Sequence, residues 1–277
     1  MRIDCHHHFW KYDPRELDWM GPGMETIRRD FFPEDLEPLL DSIDFDGAIT
    51  VEARQLLKES DFLLELADKH DIVKGVVGWV DLRSPDVRDQ LEKYAQHPKF
   101  CGVRHVLMDE PDREFMLHAD FQRGIGYLAE FDLTYDLLIL YHHLPTAIEL
   151  VQKHPGQSFV VDHIGQPTIK EKMVSPWKED LAKLARFDNV YCKLSGMVEC
   201  AEWKNWKPED FTPYLDAVIE LFGTDRVMIG SNWPVCTLSG DFKPVMDIVI
   251  NYIRQFPEET RERILGGNCA RFYGVPE

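Results

Sequence analysis

Eight short apolar runs punctuate the chain, at residues 2–10, 47–53, 72–82, 100–107, 133–140, 158–163, 189–196 and 226–234. Between them, apolar residues recur at helical spacing, as in Leu57, Phe62, Leu63, Leu66 and Ala67. Further helices are predicted from Phe31, with Pro33 in the first turn, over 85–96, and over 258–265. Strands buried on both faces give continuous apolar runs, and alternation with helices implies parallel pairing. Eight such units predict an α/β fold, a (β/α)8 TIM barrel, as a single domain over residues 1–277. An open doubly wound sheet is the competitor, but no G-x-G-x-x-G follows the first run and there is no P-loop.

A barrel places its chemistry at the C-terminal ends of the strands. The first run ends in His6-His7-His8, the fourth carries Arg104 and His105, and the sixth ends in Asp162-His163. His142 and His143 lie beyond the fifth, Lys193 and Ser195 close the seventh, and Ser231-Asn232-Trp233 close the eighth. With a side-chain period of two, His6 and His8 share a face with Asp4, and His7 points the other way. Two imidazoles on one face can converge on a metal ion or a substrate oxygen. The irregular stretch 11–30, with Trp19, Gly21, Pro22 and Gly23, is expected to cover the site, with Trp10 and Trp19 in its wall.

Charge and composition narrow the partners. The chain has 277 residues, 44% hydrophobic and 29% charged, with a net charge of −18. No basic stripe with interleaved aromatics is present, so nucleic acid is not an expected partner. No stretch of about 18 apolar residues is found, so no membrane span is expected. The six cysteines form no C-x-x-C and read as reduced core residues; with no signal-peptide pattern, a cytoplasmic protein is expected.

Asp4-Cys5-His6-His7-His8-Phe9-Trp10 resembles the D-x-H-x-H-x-W opening of the amidohydrolase superfamily, in particular the amidohydrolase 2 branch that holds sugar-acid lactonases. Residues 102–105, 161–167, 192–196 and 230–235 are similar to that branch's later motifs, in the same order along nearly the whole chain. The resemblance implies a distorted barrel of the amidohydrolase type that opens a sugar-acid lactone, of the L-fucono- or L-rhamnono-lactone kind. It implies His6 and His8 as ligands of one divalent cation, zinc first among them, with metal-free catalysis as the alternative. It makes His163, Lys193 and Asn232 catalytic, and Arg104, His105, His142, Trp10, Ser195 and Trp233 substrate-binding. A decarboxylase of the same superfamily, or a lactone-binding protein without turnover, are the alternatives. The oligomeric state is left open.

One position departs from the pattern. The last-strand motif of the branch reads G-S-D-W-P, whereas here Asn232 stands in place of the Asp. An amide cannot act as a general base near neutral pH. Asn232 therefore either positions water while a histidine takes the proton, or marks an inactivated, ligand-trapping form, or marks a binder. His163 is the expected base, because an unperturbed imidazole titrates near neutrality.

Overall fold

The computed structural model describes residues 1–276. Its strands are β1 (Ile3–His7), β2 (Gly47–Val51), β3 (Val73–Gly78), β4 (Phe100–Val106), β5 (Thr134–Leu138), β6 (Phe159–Val161), β7 (Val190–Leu194) and β8 (Val227–Ile229). They form one sheet in sequential order, every neighbouring pair parallel. Each strand falls inside one of the eight apolar runs. The runs are longer because they continue past the last ladder bond into the loops of the site. The seam between β1 and β8 is closed by the Asn232 N–H donating to the His6 carbonyl at 2.8 Å and the His8 N–H donating to the Trp233 carbonyl at 2.7 Å. The fold is a (β/α)8 barrel.

Helices α1 (Pro33–Asp41), α2 (Leu57–Lys69), α3 (Val87–Ala95), α4 (Ala119–Leu128), α5 (Leu144–Lys153), α6 (Trp177–Leu184), α7 (Thr212–Phe222) and α8 (Phe242–Tyr252) follow the strands in turn. In α1, Pro33 sits in the first turn and the Asp35 carboxylate accepts from the Phe32 N–H at 3.0 Å, satisfying a donor that the helix start leaves free. The larger apolar core lies between the strands and these helices, with Phe121, Tyr135 and Trp177 among its buried aromatics.

The last predicted helix differs. Residues 258–265 divide into α9 (Glu258–Glu262) and the start of a π-helical turn (Arg263–Gly267) that runs on into α10 (Asn268–Tyr273). The glycines at 266 and 267 read as a stop in the sequence, but Gly266 serves close approach instead. A Cβ there would lie 2.2 Å from the Met1 carbonyl oxygen, beside the start of β1. This brings α10 to the N-terminal end of the barrel, where Phe272 and Tyr273 join Ile3, Cys5, Ile49 and Met228 in a second apolar cluster. All six cysteines are free thiols, and all but Cys200 are buried. Among the described residues, no helix is long and apolar enough to cross a membrane.

Candidate active site

A cavity of about 780 Å³ opens at the C-terminal ends of the strands. His8, Arg104, His163 and Asn232 line its floor, and Trp19, Met108 and Trp203 belong to its walls. The loop 11–30 contributes, as do the loops 107–118 after β4 and 196–210 after β7 and residues 53–58 after β2. Beneath this floor lies a buried ionic cluster. Lys193 directs its ammonium at Asp136 (2.5 Å), Asp162 (3.0 Å) and His6 Nδ1 (3.1 Å). Arg104 bonds Glu52 through Nε at 2.9 Å and Asp162 through Nη1 at 3.2 Å, while Nη2 donates to the Glu52 carbonyl oxygen.

Each charge in the cluster has an opposite partner, which is the condition for burying it. Burial opposes ionisation of Asp162, but Lys193, His6 and Arg104 together hold its carboxyl well below the usual range. Burial likewise opposes the Lys193 charge, and Asp136 and Asp162 outweigh it, so the ammonium persists. His6 is kept neutral by burial and by Lys193. Its ring lies 5.0 Å from that of His8 and 4.4 Å from that of His163, centroid to centroid. His7 turns away to Thr50 Oγ1 at 2.8 Å, as the period of two requires. Asp4 does not join the site; its carboxylate instead holds the Ser231 N–H at 2.9 Å and hydroxyl at 2.5 Å.

His163 and Asn232 both adopt left-handed backbone conformations, with φ of 55° and 56°. Such angles at non-glycine residues cluster at functional sites, and asparagine tolerates them best. The His163 ring rests on Gly196, where a Cβ would lie 2.3 Å from the ring and where φ is +63°. Its Nδ1 lies 2.9 Å from Ser195 Oγ. Burial, helped by Arg104 and Lys193, pushes the His163 pKa down to about 3 despite Asp162. The imidazole is therefore neutral at pH 7 and a weak proton acceptor, which corrects the expectation that it titrates near neutrality as the base.

Sequence reasoning missed Glu52, Asp136 and Glu199. Glu199 follows β7 on the wall loop, accepts from Asn232 Nδ2 at 2.9 Å, and lines the cavity. Burial raises its pKa to about 7, against the opposing pull of its own backbone N–H and of Asn232. The sequence signal for Asp136 was an acid within an apolar strand; Glu199 had none, being one acid in an irregular loop.

Other expected contacts lie elsewhere. Trp10 is fully buried, donates to the Arg29 carbonyl at 2.8 Å and stacks edge-on with Phe31, so it supports the wall without lining it. Trp233 packs edge-on against Phe9 and Phe31 in the core. His105 bonds Glu110 at 2.7 Å and stacks on Phe115, away from the cavity. His142 lines a neighbouring cavity of about 660 Å³ that shares Glu199 and Trp203 with the first. Lys193 and Ser195 lie beneath the lining and reach the site through His6 and His163. Of the loop tryptophans, Trp203 faces the cavity, whereas Trp206 donates to the Ser239 carbonyl and packs on Phe211.

The chemistry and spacing of three residues fit a divalent cation. One ligand atom each from His6, Asp162 and His163 lie within 4.8 Å of one another, and two imidazoles with a carboxylate form a known catalytic metal set. Both imidazoles are neutral, as ligands must be. A cation there would compete with Lys193 and Arg104 for Asp162. His8, expected beside His6 in the set, is outside this group of three; its Nδ1 bonds the Val51 carbonyl (2.9 Å), an orientation that also suits a ligand, and its Nε2 faces Asn232 Oδ1 (3.3 Å).

Comparison with known proteins agrees with the opening motif and the barrel. The family described as Amidohydrolase matches residues 3–275. The chain belongs to the amidohydrolase family. This amidohydrolase is 36% identical to an L-fucono-1,5-lactonase of Burkholderia multivorans, covering all of this chain and 97% of the relative. It is 32% identical to an L-fucono-1,5-lactonase of Burkholderia ambifaria, covering 99% and 96%. A crystal structure of a Burkholderia multivorans amidohydrolase with bound zinc superposes over the full length of both chains, with a TM-score of 0.96 and 36% identity.

Proposed function

We propose that this amidohydrolase opens the ring of a sugar-acid lactone of the L-fucono- or L-rhamnono-lactone type. The observation that carries the reading is the full-length, 36% identity to a lactonase, together with a concave site floored by His8, Arg104, His163 and Asn232. The relatives named as lactonases favour this over decarboxylation or binding without turnover.

Lactone hydrolysis needs a polarised carbonyl, donors for the developing oxyanion and an activated water. A divalent cation on His6, Asp162 and His163, when bound, supplies Lewis-acid polarisation and a more acidic water. The chain's own residues supply the rest. Where no cation occupies His163 and Ser195 donates to its Nδ1, the neutral ring presents Nε2–H as a hydrogen-bond donor to the carbonyl oxygen; holding a cation and donating this hydrogen are alternative roles of the ring. Arg104 has one Nη2 hydrogen left after its bond to the Glu52 carbonyl, and this hydrogen is a second donor. Lys193 acts from below by keeping Asp162 ionised and His6 neutral. Trp203 and Trp19 offer flat faces on which a sugar ring stacks.

The test is acid release, followed with a pH indicator, on a panel of aldonolactones corrected for enzyme-free hydrolysis. L-Fuconolactone or L-rhamnonolactone is expected to react fastest. A purified, folded protein that acidifies none of the panel would sink the reading.

A further inference from the structure

Among the described acids that line the cavity, Glu199 alone has a carboxylate oxygen shut off from solvent with no partner. Asp18 and Asp109 are exposed at the rim, and Glu16 pairs with Arg54 and Lys58. Glu199 is half-buried as a residue, but its Oε2 is out of contact with solvent and bonds nothing, while Oε1 is held by the Asn232 amide at 2.9 Å. The Asn232 backbone is anchored through its N–H on the His6 carbonyl at 2.8 Å. A carboxylate is thus clamped at the edge of the floor, with Oε2 unpaired but screened from the cavity, so that taking a proton from a cavity water requires the side chain to turn this oxygen outward.

We propose that Glu199 is the general base of the lactone hydrolysis, supplying from the loop after β7 the carboxylate that Asn232 does not provide on β8. The inference rests on the lactone reading above. Glu199 removes a proton from water as the water oxygen bonds to the carbonyl carbon, and the C=O electron pair moves onto the carbonyl oxygen. Collapse re-forms the C=O and breaks the bond to the ring oxygen, which takes the proton from Glu199. The product is the open hydroxy acid, and the carboxylate is regenerated.

The surroundings suit that task. Burial places the Glu199 pKa at about 7, where a base is both substantially ionised and strong enough. Its charge acts on the thiols of Cys200 on its own loop and Cys236 after β8, both kept protonated by burial, and His142, Lys170, Glu171 and Glu202 line the neighbouring cavity with it. His8 and His163 share the cavity as neutral rings; Arg104 is the cation of the floor, while Arg15, Arg54 and Lys58 line the cavity paired with Asp13 or Glu16. An aspartate at 232 would set a second carboxylate against Glu199 at hydrogen-bond distance; an amide there can donate instead.

The experiment compares kcat and KM against pH for the unaltered enzyme, Glu199→Gln and Glu199→Ala, each corrected for enzyme-free hydrolysis. The unaltered kcat is expected to rise with pH around a midpoint near 7. Glu199→Gln, which keeps the shape and the acceptor for Asn232, is expected to lose 10²–10⁴-fold in kcat, with KM changed a few-fold and the rising limb gone. Added formate is expected to restore part of the Glu199→Ala rate. An active enzyme whose Glu199→Gln form keeps kcat within about fivefold and keeps the limb overturns the role of Glu199 and leaves the lactone reading standing. An unaltered enzyme that opens no lactone overturns both. If Glu199→Gln fails to fold, Glu199→Ala decides: formate rescue supports the role, and a retained limb without rescue overturns it.

Discussion

Lys193 and Asp136 are ion-paired at 2.5 Å beneath the catalytic floor, with no solvent access to either side chain. The Tyr273 hydroxyl, carried on the C-terminal helix, donates to the same carboxylate. The ammonium is therefore the keystone of a cluster that includes Asp162 and His6. Lys193→Met leaves Asp136 without its cation and Asp162 with Arg104 alone. Removing one partner of a buried pair costs about 3–5 kcal/mol, so denaturant unfolding is expected to show a loss of that order. A loss under about 1 kcal/mol would mean that the cluster relaxes around the gap.

Gly196→Ala is expected to abolish activity more than stability. The new Cβ would fall on the His163 ring, and alanine resists the positive φ at this position. We expect at least a tenfold fall in kcat, with the fold retained by circular dichroism. Activity equal to that of the unaltered protein would show that the ring can shift without consequence.

Ser195→Ala removes the one partner of His163 Nδ1. A neutral hydrogen bond contributes about 1 kcal/mol, and a ring free to rotate presents Nε2–H less often. The expectation is a fall in kcat of roughly fivefold, since about 1.4 kcal/mol is a factor of ten, with little change in melting temperature. A change confined to KM would assign Ser195 to substrate contact.

Asn232→Asp places two carboxylates side by side, which raises the pKa of one of them. The pH midpoint of kcat is expected to move upward. An unmoved midpoint would uncouple position 232 from the titrating group.

Zinc added to metal-stripped protein is expected to raise the melting temperature, because a ligand held by the folded state alone stabilises it. His6→Ala and Asp162→Asn should each remove that shift. A shift that persists in both variants would place the ion elsewhere.

The barrel was legible because strands covered on both faces leave uninterrupted apolar runs, and all eight observed strands lie within such runs. His6, Arg104, His163 and Asn232 were found by their place at the ends of those runs. What distinguishes wall from scaffold was not legible. Trp10 and Trp203 are the same residue type near the same cavity, yet one is locked in the core by Phe31 and the other faces the opening. The low pKa of His163 depends on burial and on Arg104 and Lys193, which lie far from it in sequence or on other strands. Glu199 carries no periodic mark, and its importance arises only when the loop after β7 meets the loop after β8.

The seam that closes the barrel has a temporal consequence. Asp4 clamps Ser231 across 227 positions of chain, and the His6 carbonyl anchors the Asn232 backbone beside it. Contacts of such long separation are among the costliest to form first, since the loop they close must be ordered beforehand. The same two segments carry His6, His8 and Asn232. During synthesis, the histidines emerge long before their partner strand exists, since Asp4 and Ser231 stand 227 positions apart. A chain halted before residue 227 lacks β8 and, with it, Asn232 and the seam, so activity requires that the two distant segments have met.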